Sequence, residues 1–347
     1  MKFVDISGFG HSGKSVVTDL LKEFKGYNVP HYNFEFNLLR LQGGLIDLQH
    51  ALIDNWSPIR SDSAIRRFEK LIRRIGPSAN IRKPHTLFYA NGMNYDAAFN
   101  GMFTEISQQY LERIVNYKYI SEWPYKLIDD PPLKQFVARL QTKLKFKSQH
   151  LTEISVTSLN KVQFILETQN YLSSLFDAIK NPGDTAVVMH NAFEPYNPVS
   201  AMNFFSNSKL IVVQRDPRDI YASVTNNHGG YVPKFETSKH WKLKQSMLVV
   251  NDLDRFCEQQ LVCYNHVVAG SDINILRLRF EDIVLNYESV LEKIYAFLGE
   301  TKEVHNNKGR FFKPELSMKN IGLWKSSNNM DGIAHIEKVL GEQCYYE

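Results

Sequence analysis

Short apolar runs open the chain and return through its later half, and helical spacing dominates the stretch between. Residues 3–6 are mostly apolar and open into a glycine-rich stretch; after it, Val16, Val17, Leu20, Leu21 and Phe24 fall on one helical face. That order predicts strand, tight loop, helix. Residues 27–32 are a second strand candidate, short and interrupted by Pro30, which cannot donate to a ladder. Later runs at 186–189, 210–213 and 273–278 have the make-up of buried parallel strands, and each leads into a polar residue and a helical stretch. The alternation predicts an α/β fold of three layers, with a central parallel sheet between helices. Ligands then belong outside the carboxyl ends of the strands.

Between these parts, helical spacing dominates and is broken by Pro58, Pro77, Pro84, Pro131 and Pro132. Residues 63–75 place Ile65, Phe68, Leu71, Ile72 and Ile75 on one face and basic residues on the other, an amphipathic helix with a solvated basic side. We read residues 1–347 as one α/β domain in which 41–180 form a large helical insertion, expected to shape an acceptor site. Residues 226–240, with Gly229, Gly230 and Pro233, read as a long mobile loop.

Composition narrows the classes. The 347 residues are 43% hydrophobic and 22% charged, ordinary for a globular chain with a buried core. Lys and Arg number 41 against 37 Asp and Glu, a net +4 spread without runs. This argues against nucleic-acid binding, which concentrates charge on one face, and suits a small anionic ligand. The three cysteines, Cys257, Cys263 and Cys344, are too few for a disulfide framework and favour a reducing compartment. Cys263 and His266 lack a second pair at zinc spacing, so buried thiols are the preferred reading. Asp5 and the glycines interrupt any signal-peptide core, and no apolar run nears the ~20 residues of a membrane helix. A cytoplasmic protein is the expectation.

Gly8 to Ser15, reading Gly-Phe-Gly-His-Ser-Gly-Lys-Ser, match G-x-x-x-x-G-K-S/T between a strand and a helix. Glycines let backbone wrap an anion and Lys14 adds charge; phosphate binding is preferred to a plain glycine turn. A nucleoside triphosphate would be the default ligand. The run Arg215-Asp216-Pro217-Arg218-Asp219, with Ser223 four residues on, follows a strand, and a guanidinium fork with a hydroxyl a turn or two later can grip a phosphate. The competing reading is an ion pair of Arg215 with Asp216 or Asp219.

Here the chain resembles the sulfotransferase family of bacterial or carbohydrate type, whose members use 3′-phosphoadenosine 5′-phosphosulfate (PAPS). Family members carry Arg-x-Pro-x-Asp-x-x-x-Ser at this place. Leu278 to Ile283, with the later Phe297-Leu298-Gly299, is similar to the family's R-Y-E-D-L and F-L-G stretch, and Gly322-Leu323-Trp324-Lys325 to its G-x-W-K ending. The resemblance covers the first forty or so residues and those after about 185. It implies that Gly10, His11, Ser12, Gly13, Lys14 and Ser15 form the phosphosulfate loop. It also implies that Arg215 and Ser223 clamp the donor's 3′-phosphate, and that Ser317, Lys319, Trp324 and Lys325 close on the 3′-phosphate and adenine. His11 occupies the family's usual Lys or Arg position and Lys14 a common Thr position, so Lys14 is expected to serve the transferring sulfuryl and His11 to assist.

PAPS is thus the implied co-substrate, with no metal in the scheme, and an acceptor hydroxyl needs a base. Glu35 and His190 both follow strands at the ligand edge. Some carbohydrate and tyrosyl-protein members place a Glu near the first, and small-molecule members a His near the second. Glu35 is preferred, against an ion pair with Arg40 or Lys22; for His190 the alternative is a backbone-bonded strand end. The Glu35 resemblance and the Tyr- and Asn-rich middle favour a saccharide or glycoconjugate acceptor. An ATP-dependent P-loop kinase is the rival enzyme, weakened because residues 210–213 lead to Gln214-Arg215 and not to a magnesium-directing Asp. A non-catalytic nucleotide-binding module is the third class. The sequence leaves the oligomeric state open.

Overall fold

Seven strands occupy the described residues: β1 (Lys2–Gly8), β2 (Tyr27–Asn28), β3 (Tyr117–Glu122), β4 (Leu151–Val156), β5 (Ala186–His190), β6 (Ser208–Gln214) and β7 (Ile275–Arg279). The computed structural model describes residues 1–30, 35–80, 84–88, 90–122, 130, 132–144, 151–226, 252–270 and 272–346. The chain divides into two compact units, Met1–Asn37 with Asn181–Glu347, and Leu38–Lys180.

In the first unit the strands form one parallel sheet in the order β2-β5-β1-β6-β7. β1 lies in the middle: Phe3 to Ile6 pair with Val187 to His190 of β5 on one side, and Phe3 to Gly8 with Ser208 to Val213 of β6 on the other. Val4 and Ile6 pack with Val188, Ile211 and Val213 against Val17, Leu20 and Ile294, so helices Ser15–Leu21 and Tyr287–Leu298 cover that face. Phe3 reaches the opposite side, 4.8 Å between ring centres from Phe205. Burial on both faces explains why these strands read as continuous apolar runs.

The second strand ends at Asn28, two residues before Pro30; its predicted end at residues 31 and 32 lies outside the described residues. So does the loop expected over 226–240 from residue 227 onward. The thiols of Cys257, Cys263 and Cys344 are buried and unbridged, and Cys263 and His266 lie on helix Leu253–Ala269. None of the described helices is long and apolar enough to cross a membrane.

In the second unit a two-stranded ribbon stands among the helices: β3 and β4 pair antiparallel. Helix Pro58–Ile75 packs on β4 and on Phe103–Ile114, which in turn packs on Lys161–Asp177. Pro58 opens the first, and Ser57 caps it by accepting from the Arg60 N–H at 3.2 Å; a fixed φ and a missing donor suit that first turn. Ile65, Phe68, Ile72 and Ile75 are buried as the spacing predicts. The Tyr110 and Tyr171 rings stack at 4.4 Å, with hydroxyls bonded to Thr168 and Ser107. Thr157 donates its N–H to Ser61 at 3.1 Å and Ser155 to Asp62 at 3.2 Å, tying β4 to the first helix.

Candidate active site

The loop residues 10–15 follow β1, Glu35 follows β2, His190 ends β5, and Arg215 and Ser223 follow β6. The loop after β1 turns through His11 and Gly13, both with positive φ (62° and 78°). A side chain at Gly13 would drive into the Phe280 ring, and one at Gly8 into Ser12 and the Val213 carbonyl. Glycine is therefore required at both positions by close packing. Phe280 belongs to the third motif, so the motifs at the two ends of the chain meet at this loop.

Two clusters form around the loop. In the first, Arg215 is buried. Its Nη1 donates to the His11 carbonyl at 3.0 Å and its Nη2 to the Asn320 carbonyl at 2.5 Å; its Nε is buried with no partner among the described residues. The guanidinium lies 5.0 Å from the Phe280 ring centre. Burial lowers its pKa, opposed by the negative Asp219, Glu281 and Asp216. His11 Nδ1 lies 3.2 Å from Ser223 Oγ, and burial, then the charge of Arg215, lowers the His11 pKa.

The ion pair weighed for Arg215 does not form among the described residues. Asp216 is taken by Arg218, at 2.7 Å, and Asp219 accepts the N–H groups of Gly322 and Trp324 at 2.9 and 3.1 Å. Burial raises the Asp219 pKa, against those two bonds and Arg215. Glu281 in turn accepts the Asp216 N–H at 2.8 Å. A buried guanidinium bonded only to carbonyls, beside a hydroxyl and an imidazole, fits a phosphate, because only an anion would neutralise its charge.

The second cluster holds Lys14, Glu35 and His190. Glu35 Oε1 lies 3.6 Å from Lys14 Nζ and 3.9 Å from His190 Nδ1, the latter too long for a hydrogen bond. His190 Nδ1 has no hydrogen-bond partner among the described residues, so the backbone-bonded alternative weighed for it does not describe this nitrogen. Asn191 Nδ2 donates to the same Glu35 oxygen at 2.7 Å. His11 and Lys14 thus face different partners, His11 the Arg215 cluster and Lys14 the carboxylate.

Ser12 is buried, its Oγ without a partner among the described residues. Gly10 forms the exposed turn and Ser15 begins the helix. Ser317 and Lys319 make no hydrogen bond or ion pair with Arg215 among the described residues; the contact from this segment is the Asn320 carbonyl. Trp324 lies 4.3 Å from the Arg218 guanidinium, with Lys325 Nζ 5.8 Å from its ring centre. Asn191, Asn320 and Asp5 make contacts here that sequence reasoning missed, and Asp219, weighed there only as a partner for Arg215, binds the Gly322 and Trp324 amides instead.

A model described as "Sulfotransferase family" matches residues 133–303. No curated protein sequence matches the chain. Similar solved structures include a sulfotransferase of Mycobacterium avium, at 12% identity, covering 100% of this chain and 77% of that one, TM-score 0.38. The sulfotransferase domain of the Synechococcus olefin synthase follows at 10%, 100% and 94%, TM-score 0.40. Retinol dehydratase, solved with androsterone and the inactive cofactor PAP, gives 13%, 99% and 81%, TM-score 0.34. The matched segment carries β5, β6 and β7 with their motif residues, and over it the chain is similar to the sulfotransferase family.

Proposed function

We propose that this enzyme transfers a sulfuryl group to an acceptor hydroxyl, with Glu35 as the base and Lys14 as the cation at the transferring group. The observation that carries the reading is the Lys14–Glu35 approach of 3.6 Å at the carboxyl end of the sheet. PAPS supplies the group: the acceptor oxygen bonds sulfur as the bond from sulfur to the 5′-phosphate oxygen breaks, and the bonding pair leaves with adenosine 3′,5′-bisphosphate (PAP). Glu35 takes the proton from the acceptor hydroxyl. Lys14 offsets the charge that gathers on the leaving oxygen, the main task in transfers of this kind. Arg215, Ser223 and His11 hold the 3′-phosphate, which fixes the donor along the loop. Trp324 and Lys325 belong to the segment that closes over the nucleoside, and Ser317 and Lys319 stay at its margin. The scheme uses no metal.

We further propose a saccharide or glycoconjugate acceptor. An aliphatic hydroxyl holds its proton too tightly to react without a base, and a carboxylate at the sheet edge supplies one. The test has two stages. Calorimetric titration should show magnesium-independent binding of PAP that weakens at least tenfold in Arg215→Ala, and no comparable binding of ATP with magnesium. A PAPS turnover screen over saccharides, simple alcohols and phenols should then favour saccharides. Preference for magnesium-ATP sinks the donor assignment; turnover confined to phenols sinks the acceptor assignment.

A further inference from the structure

β1, buried on both faces, carries a carboxylate at its centre. Asp5 is wholly buried, a position that costs free energy unless every lone pair is engaged. Its Oδ1 accepts the Ala192 N–H at 2.8 Å, and its Oδ2 the Phe193 N–H at 3.1 Å and the Ser7 hydroxyl at 2.6 Å. Ala192 and Phe193 follow β5, so Asp5 ties the turn after one strand to the middle of its neighbour. Asn191 joins them by donating its N–H to the Ile6 carbonyl at 3.0 Å. Its φ is 51°, a left-handed conformation that Asn tolerates better than most residues.

Three successive backbone N–H groups are therefore fixed to β1, and the residue at the bend points its amide at Glu35, 2.7 Å away. Lys14 Nζ stands off at 3.6 Å, beyond the 2.7–2.9 Å of a close charge-assisted bond. The amide, which cannot take up or give a proton at ordinary pH, thus holds the carboxylate oxygen without competing for the acceptor's proton. We infer that Asn191 is a positioning residue for the Glu35 carboxylate, anchored through its turn by Asp5. The inference rests on Glu35 being the base.

Asn191→Gly separates the amide from the bend, because glycine keeps the positive φ at no steric cost. Cleavage of PAPS to PAP is followed in single turnover, with methyl β-galactopyranoside and with water alone as acceptor. The rate should fall about 10- to 100-fold, the scale of a hydrogen bond to a charged group, with the PAP dissociation constant held within about twofold. Asn191→Asp, which sets a second carboxylate against Glu35, should fall at least as far. In a Glu35→Gln background Asn191→Gly should add little, since its effect runs through that carboxylate. An unchanged rate in Asn191→Gly overturns the inference, as does an equal loss with and without Glu35. If Glu35→Gln itself leaves the rate unchanged, it is the base assignment that fails. Unaltered PAP binding reports that each variant is folded.

Discussion

His11 and Lys14 are three residues apart in one loop, and their neighbours give them different work. Lys14 faces Glu35, whereas His11 faces Ser223 and lends its carbonyl to Arg215. Lys14→Ala should therefore lower turnover by about 10²- to 10³-fold, as loss of a transition-state donor does. His11→Ala should weaken PAP binding by about tenfold with turnover largely retained, in line with one lost phosphate contact. The reverse order would exchange their roles. The His11 imidazole is also held below its ordinary pKa by burial and by Arg215. A phosphate beside it favours the protonated ring, so the complex takes up a proton that the unliganded protein lacks. PAP affinity then falls as pH rises through the value in the complex, and levels off below the value in the unliganded protein. Calorimetry across about pH 5.5 to 8 should show this slope reduced in His11→Ala; the phosphate's own titration is common to both proteins. Equal slopes would remove His11 from the phosphate.

At the scale of elements, buried carboxylates act as clasps between segments far apart in sequence. Glu23, wholly buried after helix Ser15–Leu21, accepts from Gly309, Phe311 and Phe312 N–H groups at 3.0, 2.7 and 2.8 Å and contacts His305 Nε2 at 2.6 Å. Burial works against its charge, but these donors hold its pKa below the ordinary value. A depressed carboxylate stabilises the fold above its unfolded pKa, and the contribution disappears as pH falls through the folded one. Glu23→Gln should cost about 3 kcal/mol at neutral pH, lowering Tm by roughly 5–10 °C. Below about pH 4 the difference should narrow; a gap constant with pH would mean that packing, and not charge, is lost.

The same clasps mark what was legible and what was not. The strand–loop–helix opening, the strand before Arg215 and the amphipathic helix around Phe68 follow from local periodicity. β3 and β4 escaped because their pairing joins residues 117–122 to 151–156, and β4 buries only alternate residues, Ile154 and Val156, with no continuous apolar run. Glu35 and His190 were readable as strand-following residues, but their proximity was not, because strand order decides it. Asp5 carried a signal that went unused: a carboxylate within a buried strand demands donors, and those donors turned out to be the turn that carries Asn191. Asp219 looked like a partner for Arg215 because sequence shows the charges and conceals the amides of Gly322 and Trp324.

The first unit brings residues from opposite ends of the chain to one edge of a five-stranded sheet. The loop after β1, the ends of β5 and β6 and residues 320–324 are linked through Arg215, Asp5 and Asp219. In the proposed donor placement, PAP contacts the loop, the end of β6 and residues 320–324, and its binding energy is added to every opening that breaks those contacts. At a hundredfold excess over its dissociation constant, PAP should contribute about 2.7 kcal/mol. Amide exchange measured with and without PAP should therefore slow together in residues 9–15, 214–223 and 320–324, by up to about a hundredfold where exchange requires the site to open. Residues 190–193, which the proposed scheme sets on the acceptor side, should slow less. In Asp219→Asn, which weakens the hold on Gly322 and Trp324, protection by PAP should persist at the loop and at Arg215 but fade in 320–324. Protection limited to the loop in the unaltered protein would mean that the 3′-phosphate is not held by Arg215, and that the C-terminal segment takes no part in donor binding.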